Sequence, residues 1–199
     1  MTTDRPASRM TVATPRTFRI APMSTGIRVL SALLLVIPVA MAIGAAAGTH
    51  ALLIPFALLA TIYSWVWLRF RPRAFVIHPD HLEIVWPLKR REIPRSTIVS
   101  CRTLGATDLR REIGWGARVG AGGLWGGFGW LWTRRRGVVQ MYVTRTDAFV
   151  WIERGRERPW LITPENPDQF VRDVVSGATS LVERGLSSKH GGAVAPNGA

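Results

Sequence analysis

The glycine-rich interval Gly114 to Gly129 is the one stretch whose residue types approach a phosphate cradle. Such a cradle needs G-x-x-x-x-G-K-[ST], or G-x-G-x-x-G set between a strand and a helix, so that backbone N–H groups and a helix N-terminus converge on the anion. Neither spacing is present: Gly120 and Gly122 are followed at the third position by Trp125, with no helix-forming run beyond. The four histidines are no closer to a site. His50 lies between two apolar runs, His190 lies near the C-terminus, and His78 and His81 flank a proline turn beside Asp80 and Glu83, a spacing that fixes no metal geometry. Cys101 is the single cysteine, which excludes an internal disulfide and a cysteine-based zinc site, and its apolar surroundings predict an inert core residue. No serine or cysteine has an accompanying base that the sequence identifies. The expectation is a protein that is not an enzyme, with no catalytic residues, no cofactor and no metal.

What remains is the chemistry of contact. The glycine-rich interval interleaves Trp115, Leu124, Trp125, Phe128, Trp130, Leu131 and Trp132 with glycines and closes on Arg134, Arg135 and Arg136. Indole rings beside arginines suit a bilayer interface; the alternative is that the tryptophans fold back and close the domain. A second basic cluster, Lys89, Arg90 and Arg91, occupies a hairpin turn and suits anionic lipid headgroups, against the plainer reading of a solvated turn. The candidate membrane or partner contacts are therefore Lys89, Arg90, Arg91, Trp125, Trp130, Trp132, Arg134, Arg135 and Arg136. The net charge of +13 is carried almost wholly by arginine, with lysine only at Lys89 and Lys189. Anionic lipid accounts for that balance without a further assumption, and no nucleic acid partner is expected.

The lipid reading follows from the elements that must position these residues. Val29 to Gly48 and Ala51 to Leu68 are apolar runs without a charge, separated by Thr49 and His50. Each approaches the roughly 20 residues needed to cross about 30 Å of hydrocarbon. Pro38 and Pro55 are expected to bend their helices without ending them, and Tyr63, Trp65 and Trp67 suit the headgroup level. Arg5, Arg9, Arg16, Arg19 and Arg28 precede the first run and Arg69, Arg71 and Arg73 follow the second, with none between. That asymmetry predicts a multi-pass hairpin, integral to the lipid bilayer, with both termini cytoplasmic.

Beyond Arg73 the apolar period changes to two. Strands are predicted over 74–78, 82–86, 90–93, 97–103, 138–144, 148–152 and 159–162, seven in all. Asn166, Pro167 and Gln169 then supply a helix cap, a proline at the first helical position and a capping-box partner. Phe170, Val171, Val174, Val175, Ala178, Leu181 and Val182 form an apolar stripe at helical spacing, ended by Gly185.

Seven antiparallel strands followed by an amphipathic helix is the order of a pleckstrin-homology (PH)-like barrel. The wording FVIHPDHLEI over 75–84, IPRSTI over 93–98 and LITPENPDQF over 161–170 resembles the bacterial PH-like domain family of the membrane-anchored type. The resemblance covers roughly residues 72 to 176 and rests on turns and caps, so it speaks to fold more than to function. Lipid-binding members of the wider PH class carry headgroup-binding basic residues in the first hairpin loop. Here that loop is Pro79-Asp80-His81, so a phosphoinositide role is not carried over. The predicted layout is a partly disordered N-terminal segment (1–27), a transmembrane helical hairpin (28–70), a mainly-β PH-like barrel of about seven strands capped by a C-terminal helix (72–184) and a disordered tail (185–199). The resemblance implies a non-catalytic binding module at the cytoplasmic face of the bacterial cell membrane, recognising a protein or peptide partner or anionic lipid. The rival expectation is an accessory or assembly subunit of a membrane enzyme or transporter complex, with the small residues Gly44 to Gly48 packing against other helices.

Overall fold

A computed structural model of the chain describes residues 14–176. The first strand, β1 (Arg16–Arg19), precedes two long helices, α1 (Thr25–Ala46) and α2 (Leu53–Phe70), joined by a tight turn with one 3-10 turn at His50–Leu52. Both helices are long and apolar enough to cross a membrane. They pack on each other along one half-buried face that includes Leu34, Phe56, Leu59 and Tyr63, most of their other apolar side chains are exposed, and α2 buries none of its residues fully. Pro38 is interior to α1. Pro55 sits instead in the first turn of α2, where a missing N–H leaves no helical hydrogen bond unmade, so the bend expected there has no cause.

The remaining elements are β2 (Ala74–Ile77), β3 (His81–Val85), β4 (Arg90–Pro94), β5 (Ile98–Leu104), α3 (Ala106–Ile113), β6 (Gly116–Gly122), β7 (Gly127–Thr133), β8 (Gly137–Val143), β9 (Phe149–Arg154) and β10 (Trp160–Ile162). A last helix, α4, occupies 167–176. All seven predicted strands are present, as β2 to β5 and β8 to β10. Three more lie outside those seven: β1, in the alternating stretch Thr17 to Pro22 whose pattern suits a short strand or an interfacial segment, and the hairpin β6–β7 that the glycine-rich interval forms, which the sequence pattern does not predict. The pairing also departs from an all-antiparallel barrel, because β10 runs parallel to β8 while antiparallel to β9. Ala178, Leu181, Val182, Gly185 and the predicted tail lie outside the described residues.

The strands form a four-stranded sheet, β1-β2-β3-β4, and a six-stranded sheet, β5-β9-β10-β8-β7-β6. Strand alternation splits the apolar residues between two cores. One lies between the sheets and under α4, and gathers Phe18, Phe75, Ile84, Ile93, Phe128, Ile152, Trp160 and Phe170. The other lies on the far face of the six-stranded sheet, where Leu109 and Ile113 of α3 cover Leu131, Met141, Trp151 and Leu161. The three layers are thus sheet, sheet and short helix.

Two ties close the structure. The buried guanidinium of Arg95, just after β4, donates to the carbonyls of His78, Asp173 and Val174, fastening α4 to the four-stranded sheet. In the second tie Ala21 N–H donates to the Thr163 carbonyl and Glu165 N–H to the Arg19 carbonyl, both at 2.9 Å, which joins β1 to the chain leaving β10. Arg16 completes the tie with both carboxylate oxygens of Asp173, at 2.8 and 2.9 Å. Because β1 pairs with β2 along its full length, α1 and α2 form an insertion between two neighbouring strands of one sheet.

Candidate functional site

The residues singled out by sequence fall in three separate places. The first is the junction between α2 and the β domain. Alternation along β4 breaks up Lys89, Arg90 and Arg91. Arg90 turns outward to the buried carboxylate of Glu83, 3.2 Å away. Arg91 turns inward, with its guanidinium 5.1 Å from the ring centre of Trp160 and 3.2 Å from the side-chain oxygen of Gln140. Only Lys89 reaches the helical pair. Its ammonium lies 4.6 Å over the Trp86 ring, whose indole N–H donates to the Phe70 carbonyl at the end of α2. Burial, then the positive charges of Arg69 and Arg91, push the Lys89 amine below its usual value.

At this junction a cavity of about 430 Å³ is lined by Ile20, Trp67, Arg71, Pro72, Arg73 and Pro87. Arg71 stacks on Trp67 with its guanidinium carbon 4.2 Å from the ring centre. Its Nε–H is buried and has no hydrogen-bond partner, and burial lowers its pKa. In the sequence Arg69, Arg71 and Arg73 stand out only as topology signals. What places them at a site is the close pairing of Arg19 with Ala74 and of Ala74 with Val85, which folds the 86–89 turn against the end of α2.

The second place is the tip of the β6–β7 hairpin. The turn between these strands inserts beside α1 and α2: Ser31 Oγ donates to the Gly123 carbonyl at 3.0 Å and accepts the Trp125 N–H at 2.8 Å. The Trp125 ring meets Trp67 edge-on at 4.7 Å and Tyr63 at 6.3 Å. Trp125 adopts a φ of +60°, a conformation costly for a side-chain-bearing residue, and Gly126 follows at +147°. A Cβ on Gly126 would collide with the Val143 carbonyl oxygen, so glycine is required for the tip to reach the helices.

The third place is the body and far end of that hairpin. Phe128 and Leu131 enter the two cores, whereas Trp130 and Trp132 are 44% and 65% exposed. With Val119, paired opposite Trp130, they form an apolar face beyond the cover of the four-stranded sheet. The interval therefore divides the roles between which the sequence left a choice. Its smaller apolar residues close the cores, and its tryptophans stay outside or dock on the helices. Arg134, Arg135 and Arg136 form the β7–β8 turn, seven residues or about 20 Å along β7 from the docked tip. Arg136 pairs with Glu112 and Glu153, and Arg135 donates to the Arg111 carbonyl at 2.7 Å, so both hold α3 in place. Arg134 is exposed.

His78 and His81 stack at 4.2 Å and hydrogen-bond Glu83 and Asp80 respectively. The bond to His81 holds the Asp80 carboxyl below its usual pKa. Among the described residues no three His, Cys, Asp or Glu side chains converge as metal ligands.

The family model described as "Bacterial PH domain" matches residues 73–177, a little over half of the chain. Comparison with curated proteins and with solved structures gave no match.

Proposed function

The chain belongs to the bacterial PH-domain family, whose members are generally non-catalytic binding modules, and from that premise we propose that it is a membrane-anchored recognition module. The observation that carries this reading is the insertion of α1 and α2 between paired strands β1 and β2. Five residues link β1 to α1 and three link α2 to β2, too few for a flexible tether. Two helices that pack on each other along one face and expose valine, leucine and isoleucine over most of the rest are stable in hydrocarbon rather than water. The barrel then rides at the bilayer surface in one orientation, on the side that carries the flanking arginines.

The ligand is an anionic lipid or a protein partner at that surface. Arg69, Arg71, Arg73 and Lys89 at the junction favour lipid. The exposed face of Val119, Trp130 and Trp132 favours a protein, since rigid aromatic side chains anchor interfaces at low entropic cost.

The anchoring is tested by washing membranes that contain the full chain with alkaline carbonate and by fusing a reporter active only in the periplasm after Ala199. The chain should stay with the membranes and the reporter should be silent. Release by carbonate removes the anchor, and an active reporter reverses the orientation.

A further inference from the structure

The junction cavity is electrostatically incomplete. Arg71 and Arg73 line it, and Arg69 and Lys89 stand close enough for their charges to oppose one another. Among the described residues none of the four forms an ion pair with a carboxylate, although the barrel supplies acids to Arg16, Arg90, Arg136, Arg145 and Arg154. Gathering unpaired cations against apolar walls costs free energy, and leaving the Arg71 Nε–H buried and unpaired adds to it. The C-terminal dipole of α2 offsets part of the charge, but its terminal Phe70 carbonyl is already taken by Trp86.

We propose that the cavity binds the phosphate of an anionic phospholipid, with Arg71 as the principal ligand and Arg73 and Lys89 as flanking charges. The inference rests on the anchored reading above. Arg71 directly follows the end of α2, so a spanning α2 sets the cavity at the depth of the headgroups. Stacking on Trp67 fixes the plane of the guanidinium, whose fork matches two phosphate oxygens. Pro72 and Pro87 stiffen the cavity walls. The site differs from the first hairpin loop, Pro79-Asp80-His81, which presents an acid instead.

The full-length protein in nanodiscs of phosphatidylcholine, with and without phosphatidylglycerol, supplies the test, with retained lipid counted by native mass spectrometry. The wild type should keep phosphatidylglycerol in preference to phosphatidylcholine. Arg71→Gln should reduce that retention about tenfold, and Arg71→Lys should restore only part of it, because charge returns without the fork. Arg110→Gln, at an exposed side chain of α3 on the far face of the six-stranded sheet, should have no effect. Arg73→Gln, at an exposed side chain, should weaken retention and serves as the second probe if Arg71→Gln melts early. Retention by both variants equal to wild type overturns the site. Inorganic phosphate that displaces the lipid and binds equally well in phosphatidylcholine discs makes the ligand a free anion and overturns the lipid assignment. A chain that fails to enter nanodiscs, and leaves membranes with carbonate, fails the anchoring reading instead.

Discussion

Arg95 shows how a single side chain can hold two elements together. It is 5% exposed, lies between the end of the four-stranded sheet and α4, and satisfies carbonyls on both. Arg95→Ala should lower stability by about 2–3 kcal/mol, read as a fall in the chemical denaturation midpoint, since charge-assisted bonds are lost and carbonyls are left buried. Cys101 makes the opposite case, of a reactive group silenced. Burial pushes its thiol up to about 12, so it should resist alkylation in the folded protein at neutral pH and react at once in denaturant. The sign for stability follows. The unfolded thiol ionises near its ordinary value while the folded thiol stays neutral, so its contribution is whole below about pH 8.5 and declines as pH rises toward 12. A folded protein that alkylates rapidly at neutral pH would show that the Cys101 pocket opens.

The β6–β7 hairpin illustrates where sequence patterning stops being informative. Gly126→Ala should detach its tip from the helices, because the φ of +147° and the Val143 carbonyl both exclude a Cβ. The expected readout is a change in tryptophan emission as Trp125 leaves Trp67, together with a lower melting temperature; unchanged values would mean that the tip does not dock. The strands that alternate cleanly, such as Leu82, Ile84 and Trp86, were legible because one face of each is buried. β6 and β7 were not, since glycine has low strand propensity and the uncovered end of the face that carries Phe128 holds tryptophan where polar residues are usual. Helix α3, absent from the predicted elements, carries a short signal: Leu109 and Ile113 at helical spacing, Asp108 in the first turn, and Gly114 closing the end, where the structure gives it a φ of +68°. The basic clusters were legible as charge but not as geometry. Alternation in β4 and the tight β7–β8 turn decide which arginines find acids, and both depend on long-range register.

At the scale of the whole molecule, the boundary of the recognised domain and that of the folding unit differ. The family match begins at residue 73, yet Phe18 packs edge-on against Phe170 at 5.3 Å, and β1 completes the four-stranded sheet. A fragment starting at residue 72 should therefore fold poorly. Residues 14–24 joined to 71–185 by a short Gly/Ser linker should give a cooperative melting transition, because Arg19 and Ala74 are paired neighbours and the linker spans only adjacent strand ends. Equal stability of the two fragments would show that β1 is dispensable. The same insertion imposes an order on synthesis. β1 leaves the ribosome first, but its partners at Thr163 and Asp173 follow more than a hundred residues later. At about 5–20 residues per second that is a wait of roughly ten to thirty seconds. On the anchored reading proposed above, the helical pair enters the bilayer during that wait, with both ends on one side. A chain that then threads only one helix strands β1 across the membrane from β2, and its four-stranded sheet never completes. On that reading completion of the fold is a check on correct insertion, and mis-threaded copies present an open sheet edge to the quality-control proteases of the cell.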